Sequence, residues 1–529
     1  MSNRTFFTLA FSLWLGCGPQ VPVKDRYLSS PPLDAQVADV SSKLARSSDP
    51  SPELHRELGL LLLVSGDGKK AEAQLDLALS QGARDSLTYL GAALAAAANG
   101  KPHKSHQILL GFLSAQVQKE PTDPWAPAVA ELAAHRLLSH GVSGTGKGDD
   151  KQLGDELFAL WQKRSRLPVE SQQLLAALLG QQLRLLGDEA RANRVDIERG
   201  CPPVLYTSGP HGHLPQLDVL SPLPGDSPLT DPQRPRYRQR SGSGCSVNVQ
   251  GLPGKPGVFF VHSFFQTHSD KPIPLTVETA GTPWALYIDG QRQFVDTEPV
   301  GRRYLQLQLP VGAHSLSIKL GVVGSNHVQV ALPGVQFYDG DPGKAPPHTP
   351  GEVNVSPRAL SPLPMAETRW QGALAALLKM QQAYLSGQPD GGLTVAAENL
   401  GQTPRFAALR TLYAGLLLDD HSRPERQARD RARSQLKLAL SLSPELLSAR
   451  QSLARLLLQD EKAALAQEVI DATPDSVEKT WQTELLRHRI LKTRGFVVEA
   501  EAALSAAQKL GPSACPVLEH VADFRREQQ

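Results

Sequence analysis

Apolar positions follow a helical period at both ends of the chain. From Leu54 to about Arg199 they recur at spacings of three and four, the loops are short, and Ala and Leu dominate. The same texture returns in the C-terminal part of the chain. We therefore predict one helical array over residues 51–200 and a second over residues 367–525.

Between these regions the apolar period changes to two. Strand-like runs cover residues 275–279, 284–288, 304–309 and 315–320, and Gly, Pro and Asp separate them. Asp289-Gly290 is a hairpin signal, because the type I′ turn needs positive φ at both central residues. About seven short strands with frequent turns are typical of an antiparallel β-sandwich, which we place at residues 246–340.

Two Pro-rich segments flank the predicted sandwich. Residues 201–245 contain nine prolines, and residues 341–366 are also rich in proline. Proline lacks the backbone amide hydrogen and clashes with the preceding helical turn, so neither segment is expected to form a regular helix. We predict a linker at each place.

The first residues have the organisation of a signal segment, which we place at residues 1–17. Arg4 precedes an apolar run from Phe6 to Leu15. As a helix this run would rise about 15 Å, half of what a bilayer core requires, so we predict a signal segment and not a membrane span. Residues 18–50 are polar with scattered Pro and Ser, which is typical of a flexible tether.

The end of the apolar run, Leu15-Gly16-Cys17, resembles the lipobox of bacterial lipoproteins. The resemblance implies that Cys17 is acylated and becomes the mature N-terminus, with acyl chains that anchor the protein in one leaflet. Gly18 at the next position implies an outer-membrane lipoprotein that faces the periplasm or the cell surface. The alternative is an ordinary secretory signal with a coincidental cysteine.

Small and apolar residues recur at matching offsets in both helical regions. The offsets resemble those of the tetratricopeptide repeat, in which small residues let paired helices approach closely. Generic helical bundles are the alternative. The positions are Leu58, Gly59, Leu62, Ala71, Leu75 and Ala78 in the first region, and Ala432, Leu436, Ala439 and Pro444, then Ala500, Leu504, Ala507 and Pro512, in the second.

Two motifs in the predicted sandwich, residues 286–290 (LYIDG) and 309–316 (LPVGAHSL), resemble strands of PA14-like and galactose-binding-like sandwiches. Together with the repeats, they resemble the amino-terminal part of bacterial repeat proteins that carry a transglutaminase-like domain, for which we expect no counterpart here. The resemblance implies that Tyr287 and Asp289 are candidate contacts to a sugar. Trp284 lies on the opposite strand face from Tyr287, which predicts a core position.

Composition and cysteine count narrow the classes of function. Lys and Arg number 55 and Asp and Glu 53, and this near balance argues against a dedicated nucleic-acid binder. An exported chain meets an oxidising compartment, where disulfides persist. Cys201 and Cys245 bracket the Pro-rich segment and are a candidate disulfide pair, which would leave Cys515 free.

The sequence contains no motif that specifies catalysis. HExxH, GxSxG and CxxC are all absent. His103 with His106, and His211 with His213, each offer two imidazoles to a metal without an arranged third ligand. We therefore expect no enzyme activity, no metal and no cofactor.

The predicted fold class is multidomain α and β, with two TPR-like helical arrays flanking an antiparallel β-sandwich. The expected function is a non-enzymatic envelope lipoprotein, a scaffold or assembly factor whose repeat grooves hold a protein partner. Two alternatives stay open. One is a glycan- or cell-wall-binding protein that uses the sandwich, and the other is a non-catalytic relative of a transglutaminase-like protein.

Overall fold

A computed structural model describes most of both helical regions and of the β region. The signal segment and the predicted acylation site Cys17 lie outside the described residues. The described residues are 31–118, 123–140, 147–212, 214–221, 237–240, 245–250, 256–279, 281–297, 302–323, 325–338, 351–358, 360–386, 389–420, 422–512 and 514–527.

The N-terminal region folds into consecutive helices that pack in pairs. The helices are α1 (Leu33–Arg46), α2 (Pro52–Val64), α3 (Gly68–Ser80), α4 (Ser86–Ala98), α5 (Pro102–Gln118), α6 (Ala126–His140), α7 (Lys147–Gln162), α8 (Val169–Leu185) and α9 (Glu189–Arg199). Side-chain oxygens of Ser51, Asp67, Asp85 and Asp188 accept hydrogen bonds from first-turn amides and fix where four of these helices begin. Within the pairs, α2 packs on α3, α4 on α5, and α8 on α9.

Helix α1 corrects the prediction of a flexible tether for residues 33–46. Its apolar residues Val37, Val40 and Leu44 are spaced by three and four, so they share one helical face. Val40 is only 3% exposed, and α1 packs on α2. The apolar stripe therefore overrides the polar composition of the segment.

Two antiparallel sheets form the β region. The strands are β1 (Val204–His211), β2 (Tyr237–Arg240), β3 (Ser246–Gln250), β4 (Gly257–Thr267), β5 (Ile273–Thr279), β6 (Trp284–Ile288), β7 (Gln291–Asp296), β8 (Arg302–Gln308), β9 (Gly312–Val322), β10 (Ser325–Ala331), β11 (Gln336–Tyr338) and β12 (Asn354–Pro357), and a short helix α10 (Pro215–Asp218) follows β1. One sheet has the order β2-β1-β4-β9-β6-β7, with β11 also paired to β4, and the other has the order β12-β8-β5-β10-β3.

The core of this sandwich lies where the sequence period places it. Trp284 is 1% exposed and lies in one apolar cluster with Leu286 and Ile288, which confirms its predicted core position. The turn between β6 and β7 has φ of 54° at Asp289 and 78° at Gly290, as the hairpin signal requires.

The sandwich is larger than the predicted range 246–340. Strands β1 and β2 come from the first Pro-rich segment, and β12 from the second, so neither segment is only a linker. Strand β1 pairs with both β2 and β4. Proline excludes a regular helix, but it is compatible with strand ends and edges, and that distinction explains the error.

The C-terminal region again consists of paired helices. They are α11 (Arg369–Ser386), α12 (Pro389–Gln402), α13 (Ala407–Leu418), α14 (Glu425–Leu442), α15 (Leu447–Gln459), α16 (Ala463–Asp471), α17 (Trp481–Thr493), α18 (Val497–Leu510) and α19 (Cys515–Glu527). Contacts pair α11 with α12, α13 with α14, α15 with α16 and α17 with α18. The fold class is therefore the predicted one, with TPR-like helical arrays on either side of the β-sandwich in the chain.

The two arrays pack on each other and share one hydrophobic core. Helix α11 contacts α2 and α6, and α13 contacts α4. Nearly every residue of α4 is buried, because its Ala- and Leu-rich sequence is apolar on all sides. The second array therefore covers part of the helix faces of the first, and the expected repeat grooves stay a prediction.

Charged side chains fasten the sandwich to the helices. Arg303 on β8 binds Asp296 at 2.6 Å and donates a second hydrogen bond to the Ser386 carbonyl at the end of α11. Arg358, just after β12, lies 2.7 Å from Glu170 on α8. The Arg303–Ser386 hydrogen bond and the Arg358–Glu170 pair therefore join the sandwich to one helix of each array. Among the described residues, no helix is long and apolar enough to cross a membrane.

Candidate functional site

The best-formed site lies where the two arrays meet, beside the turn between α4 and α5. The segment before α17 approaches this turn closely. The backbone amide of Glu478 donates a hydrogen bond of 2.8 Å to the Gly100 carbonyl, and the Glu478 carboxylate accepts one of 3.0 Å from the His103 amide. Ser443 also donates a hydrogen bond of 2.8 Å to the Ala98 carbonyl. These contacts place the beginning of α17 opposite α5 and α6.

A cleft remains between these helices, and we call it the junction pocket. Its cavity volume is about 70 Å³, and it opens to solvent on one side. A cavity of this size has room for several water molecules or one small chemical group, and a larger molecule would extend out through the open side. The pocket is lined by Ala97, Pro102, His103, Ser105, His106, Arg136, Leu447, Ser448, Gln451, Lys479, Thr480, Trp481, Gln482 and Leu510.

The charged groups of the junction pocket are all of one sign. Arg136 on α6 and Lys479 at the mouth are cationic, and none of the described residues that line the pocket is acidic. Burial lowers the pKa of Arg136 to about 10, and no neighbouring carboxylate offsets that effect. Burial also lowers the pKa of His106 to about 4, together with the charges of His103 and Arg136, so His106 is neutral near pH 7.

The apolar wall of the pocket is built around Trp481, the first residue of α17. A Cβ atom at Gly511 would lie 2.7 Å from the indole Cδ1 atom, so the missing side chain of Gly511 makes room for the ring. Leu447 and Leu510 complete this wall. Thr480 caps α17 by accepting a hydrogen bond from the Thr483 amide, and it lines the pocket together with the first residues of that helix.

A second surface feature is an apolar turn at the start of α18, residues 496–498. Phe496 is 40% exposed, Val497 59% and Val498 77%. The Arg494 guanidinium carbon lies 4.7 Å from the centre of the Phe496 ring, which orients that ring. Adjacent apolar side chains exposed in this way are typical of a contact surface.

Tyr287 and Asp289, the predicted sugar contacts, have packing and hydrogen-bond partners within the β region. Tyr287 is 4% exposed and packs in a small apolar cluster with Val258 and Phe260 on the outer face of its sheet. The Asp289 carboxylate accepts hydrogen bonds from His314 Nδ1 at 2.7 Å and from the Ser315 amide at 2.8 Å. Both side chains thus have contacts within the sandwich, and a sugar contact at these residues stays a prediction. Strand alternation gives the face of Tyr287 but not what covers that face.

The LYIDG and LPVGAHSL motifs meet at this same contact. Asp289 belongs to the first motif and His314 to the second, and their hydrogen bond ties the β6–β7 turn to β9. The motifs that resemble PA14-like sandwiches therefore have a structural role in this chain.

The other predicted site residues are two cysteines and a pair of histidines. Cys201 and Cys245 form a disulfide across a separation of 44 residues. Within the described part of the chain, no group of three or more His, Cys, Asp or Glu side chains is placed to hold a metal ion. His103 and His106, first considered as a metal pair, instead line the junction pocket.

Arg136, Lys479 and Trp481 were not singled out from the sequence. They are far apart in the chain, and each is an ordinary residue of a helical repeat or its connecting turn. Only the packing of the C-terminal array on the N-terminal array brings them together. The His103–His106 pair was the one sequence signal that pointed to this place.

Comparison with known proteins adds little. No family model and no curated protein matches the chain. The solved structures that are similar include the human IFIT1 dimer with PPP-AAAA, with 11% identity over 94% of this chain and 87% of that chain and a TM-score of 0.27. Yeast Tom70 shares 10% identity over 93% and 62% of the two chains, with a TM-score of 0.20. Naa15/Naa10 bound to HypK-THB shares 12% over 90% and 60%, also with a TM-score of 0.20. TM-scores this low carry no argument about function, and the fold class follows from the packing of this chain itself.

Proposed function

We propose that this chain is a non-enzymatic lipoprotein of the cell envelope, acylated at Cys17, that acts as a scaffold or assembly factor for a protein partner. The observation that carries the scaffold role is the exposed apolar turn 496–498 on a rigid stack of helices. The lipobox-like sequence at Cys17 supports the anchor, and the Cys201–Cys245 disulfide agrees with an exported protein.

The turn favours a protein partner because of its chemistry and its support. Burying Val497 and Val498 against a partner would remove apolar surface from water, at roughly 25 cal/mol for each Å². The turn opens α18, and the other face of that helix is held in place by Ala500, Ala503 and Leu504, which are buried. A rigid support lowers the entropy cost of binding.

The partner surface is expected on the outside of the stacked helices. The helix faces that would line a groove are partly used where α11 and α13 contact α2, α4 and α6. The glycan alternative has no specific observation in its favour, since Tyr287 and Asp289 are engaged within the sandwich.

A site-specific photo-crosslinking experiment tests the scaffold role. A photoreactive amino acid replaces Val498 in the full-length protein in cells, and Lys379, an exposed residue of α11, receives the same replacement as the control. We expect one envelope protein crosslinked at 498 and not at 379, and its loss when Val497 is changed to Ser. Equal products at both positions, or none at 498, would overturn the proposal.

The anchor has a separate test. Cys17→Ser should move the protein from the membrane fraction to the soluble envelope fraction and abolish incorporation of a labelled fatty acid. Cys515→Ser serves as the matched control and should leave both unchanged. A Cys17→Ser protein that still carries the label would contradict the assignment of the lipid to Cys17.

A further inference from the structure

The junction pocket holds a positive charge with no partner. Arg136 forms no hydrogen bond or ion pair within the described part of the chain, and burial lowers its pKa without an opposing carboxylate. A partly buried guanidinium normally has an anionic partner, because an uncompensated charge away from bulk water costs free energy. The carboxylate of Glu478, the residue before Lys479, accepts a hydrogen bond from the backbone amide of His103.

Other hydrogen-bond donors also lie at the junction pocket. Lys479 is exposed at the mouth of the pocket and has no ion pair among the described residues. The N-terminus of α17, a helix of 13 residues, lies at the pocket through Thr480, Trp481 and Gln482. A helix N-terminus favours an anion through its first-turn amides and its dipole.

The pocket also has apolar lining residues, which suit the apolar part of a ligand. It is lined by Trp481, Leu447 and Leu510, and Ala97 adds a small side chain. His106 is neutral near pH 7, so it adds a polar contact and no charge. The pocket therefore combines two cationic side chains with several apolar ones.

We propose that the junction pocket binds a small organic anion, a carboxylate or phosphate group carried on an aromatic or apolar body. The anion is held by Arg136, Lys479 and the N-terminus of α17, and the body packs on Trp481. Because the lining residues come from both arrays, the bound molecule fastens one array to the other. This site is separate from the 496–498 turn, so ligand binding and partner binding can be tested independently.

Titration calorimetry on the full chain tests the proposal with four probes. Benzoate and phenyl phosphate share a ring and differ in the anion, inorganic phosphate lacks the ring, and phenol lacks the charge. We expect benzoate or phenyl phosphate to bind at least about 10-fold more tightly than phenol or inorganic phosphate, because both ends of the pocket are then filled. The stronger of the two aromatic anions identifies the anionic group.

Substitutions then assign the binding to this pocket. Arg136→Gln should weaken the better aromatic anion by about 10- to 100-fold, the loss expected for a charge-assisted hydrogen bond. Without ligand, its thermal midpoint should be unchanged or higher, since an uncompensated charge is removed. Lys479→Gln, at an exposed position that folding does not require, should weaken binding several-fold, and Lys379→Gln should have no effect.

Three results would overturn the proposal. They are no binding of either aromatic anion at millimolar concentration, binding of phenol as tight as that of the anions, or unchanged affinity in both Arg136→Gln and Lys479→Gln. If Arg136→Gln fails to fold, Lys479→Gln and Arg136→Lys are measured in its place. Arg136→Lys keeps the charge but loses the planar guanidinium group.

Discussion

The Glu478 carboxylate accepts a hydrogen bond of 3.0 Å from the backbone amide of His103, a residue 375 positions earlier in the chain. His103 lies in the first turn of α5, where backbone amides have no partner within the helix. The C-terminal array therefore caps a helix of the N-terminal array. This contact also sets the position of Lys479 and Trp481, the next residues toward α17.

Removing this cap should destabilise the junction. We expect Glu478→Ala to lower the free energy of unfolding by about 1 kcal/mol, the usual cost of losing a helix cap. Glu478→Gln keeps an acceptor oxygen and should lose less. Urea unfolding of the full chain measures the difference, and Glu468→Gln, at an exposed position in α16, is the control. A loss in Glu468→Gln equal to that in Glu478→Ala would refute the capping role.

The close approach of paired helices gives a second prediction. A Cβ atom at Gly59 would lie 2.6 Å from Leu75 Cγ, so Gly59→Ala forces α2 and α3 apart. Overpacking of this kind typically costs about 1–3 kcal/mol. Gly111→Ala in α5 meets no atom within 4 Å, and it should stabilise by up to about 1 kcal/mol because Ala favours the helix.

Thermal or urea unfolding of the two glycine variants checks their opposite signs. The same substitution is made at mid-helix in both, so helix propensity contributes equally and only the neighbouring helix differs. A stabilised Gly59→Ala protein would show that α2 and α3 do not depend on this contact.

The sequence predicts those parts of the fold that depend on residues close together in the chain. Gly59 and Ala78 belong to a regular spacing of small residues, and that spacing predicts paired helices. The alternating pattern around Trp284 and Leu286 likewise predicts which face of the strand lies in the core, because alternation involves only neighbouring residues. The predicted range of the sandwich is too short because proline excludes a helix but not a strand end or an edge strand.

The candidate site depends on contacts that no local pattern records. Arg136 and Trp481 line one pocket only because the two arrays pack on each other. Tyr287 could be assigned to a strand face but not to an open surface, since the residues that cover it, such as Val219, lie far away in the sequence. Periodicity thus predicts elements, and the surface that remains open follows from how the elements pack.

The disulfide should make the sandwich sensitive to reduction. Cys201–Cys245 closes a loop that includes β1 and β2, and its loss should cost about 2–4 kcal/mol through the entropy of the unfolded chain. Double replacement of the two cysteines by serine, or a reducing agent, should therefore lower the unfolding midpoint. Cys515→Ser should not, and the double variant should no longer respond to the reducing agent. A wild-type midpoint unaffected by reduction would contradict the prediction.

The pair formed by His314 and Asp289 should make stability depend on pH. The buried imidazole donates from Nδ1 to Asp289 and from Nε2 to the Pro310 carbonyl at 2.8 Å, so both nitrogens face acceptors and the doubly protonated ring is satisfied. Burial alone would lower the pKa of His314, but these hydrogen bonds and the Asp289 charge raise it above its usual 6.5.

The sign of the pH effect follows from that raised pKa. Below pH 6.5 the imidazole is charged in both folded and unfolded chains, and the stabilisation is fully present. As the pH rises through the folded value, the folded protein loses the same proton and the stabilisation is lost. We therefore expect the free energy of unfolding to fall as the pH rises above 6.5. Asp289→Asn should flatten this fall, whereas His327→Gln, an exposed histidine on β10, should leave it unchanged. Urea unfolding at several pH values measures the slopes, and an Asp289→Asn protein with the wild-type slope would assign the pH effect to another group.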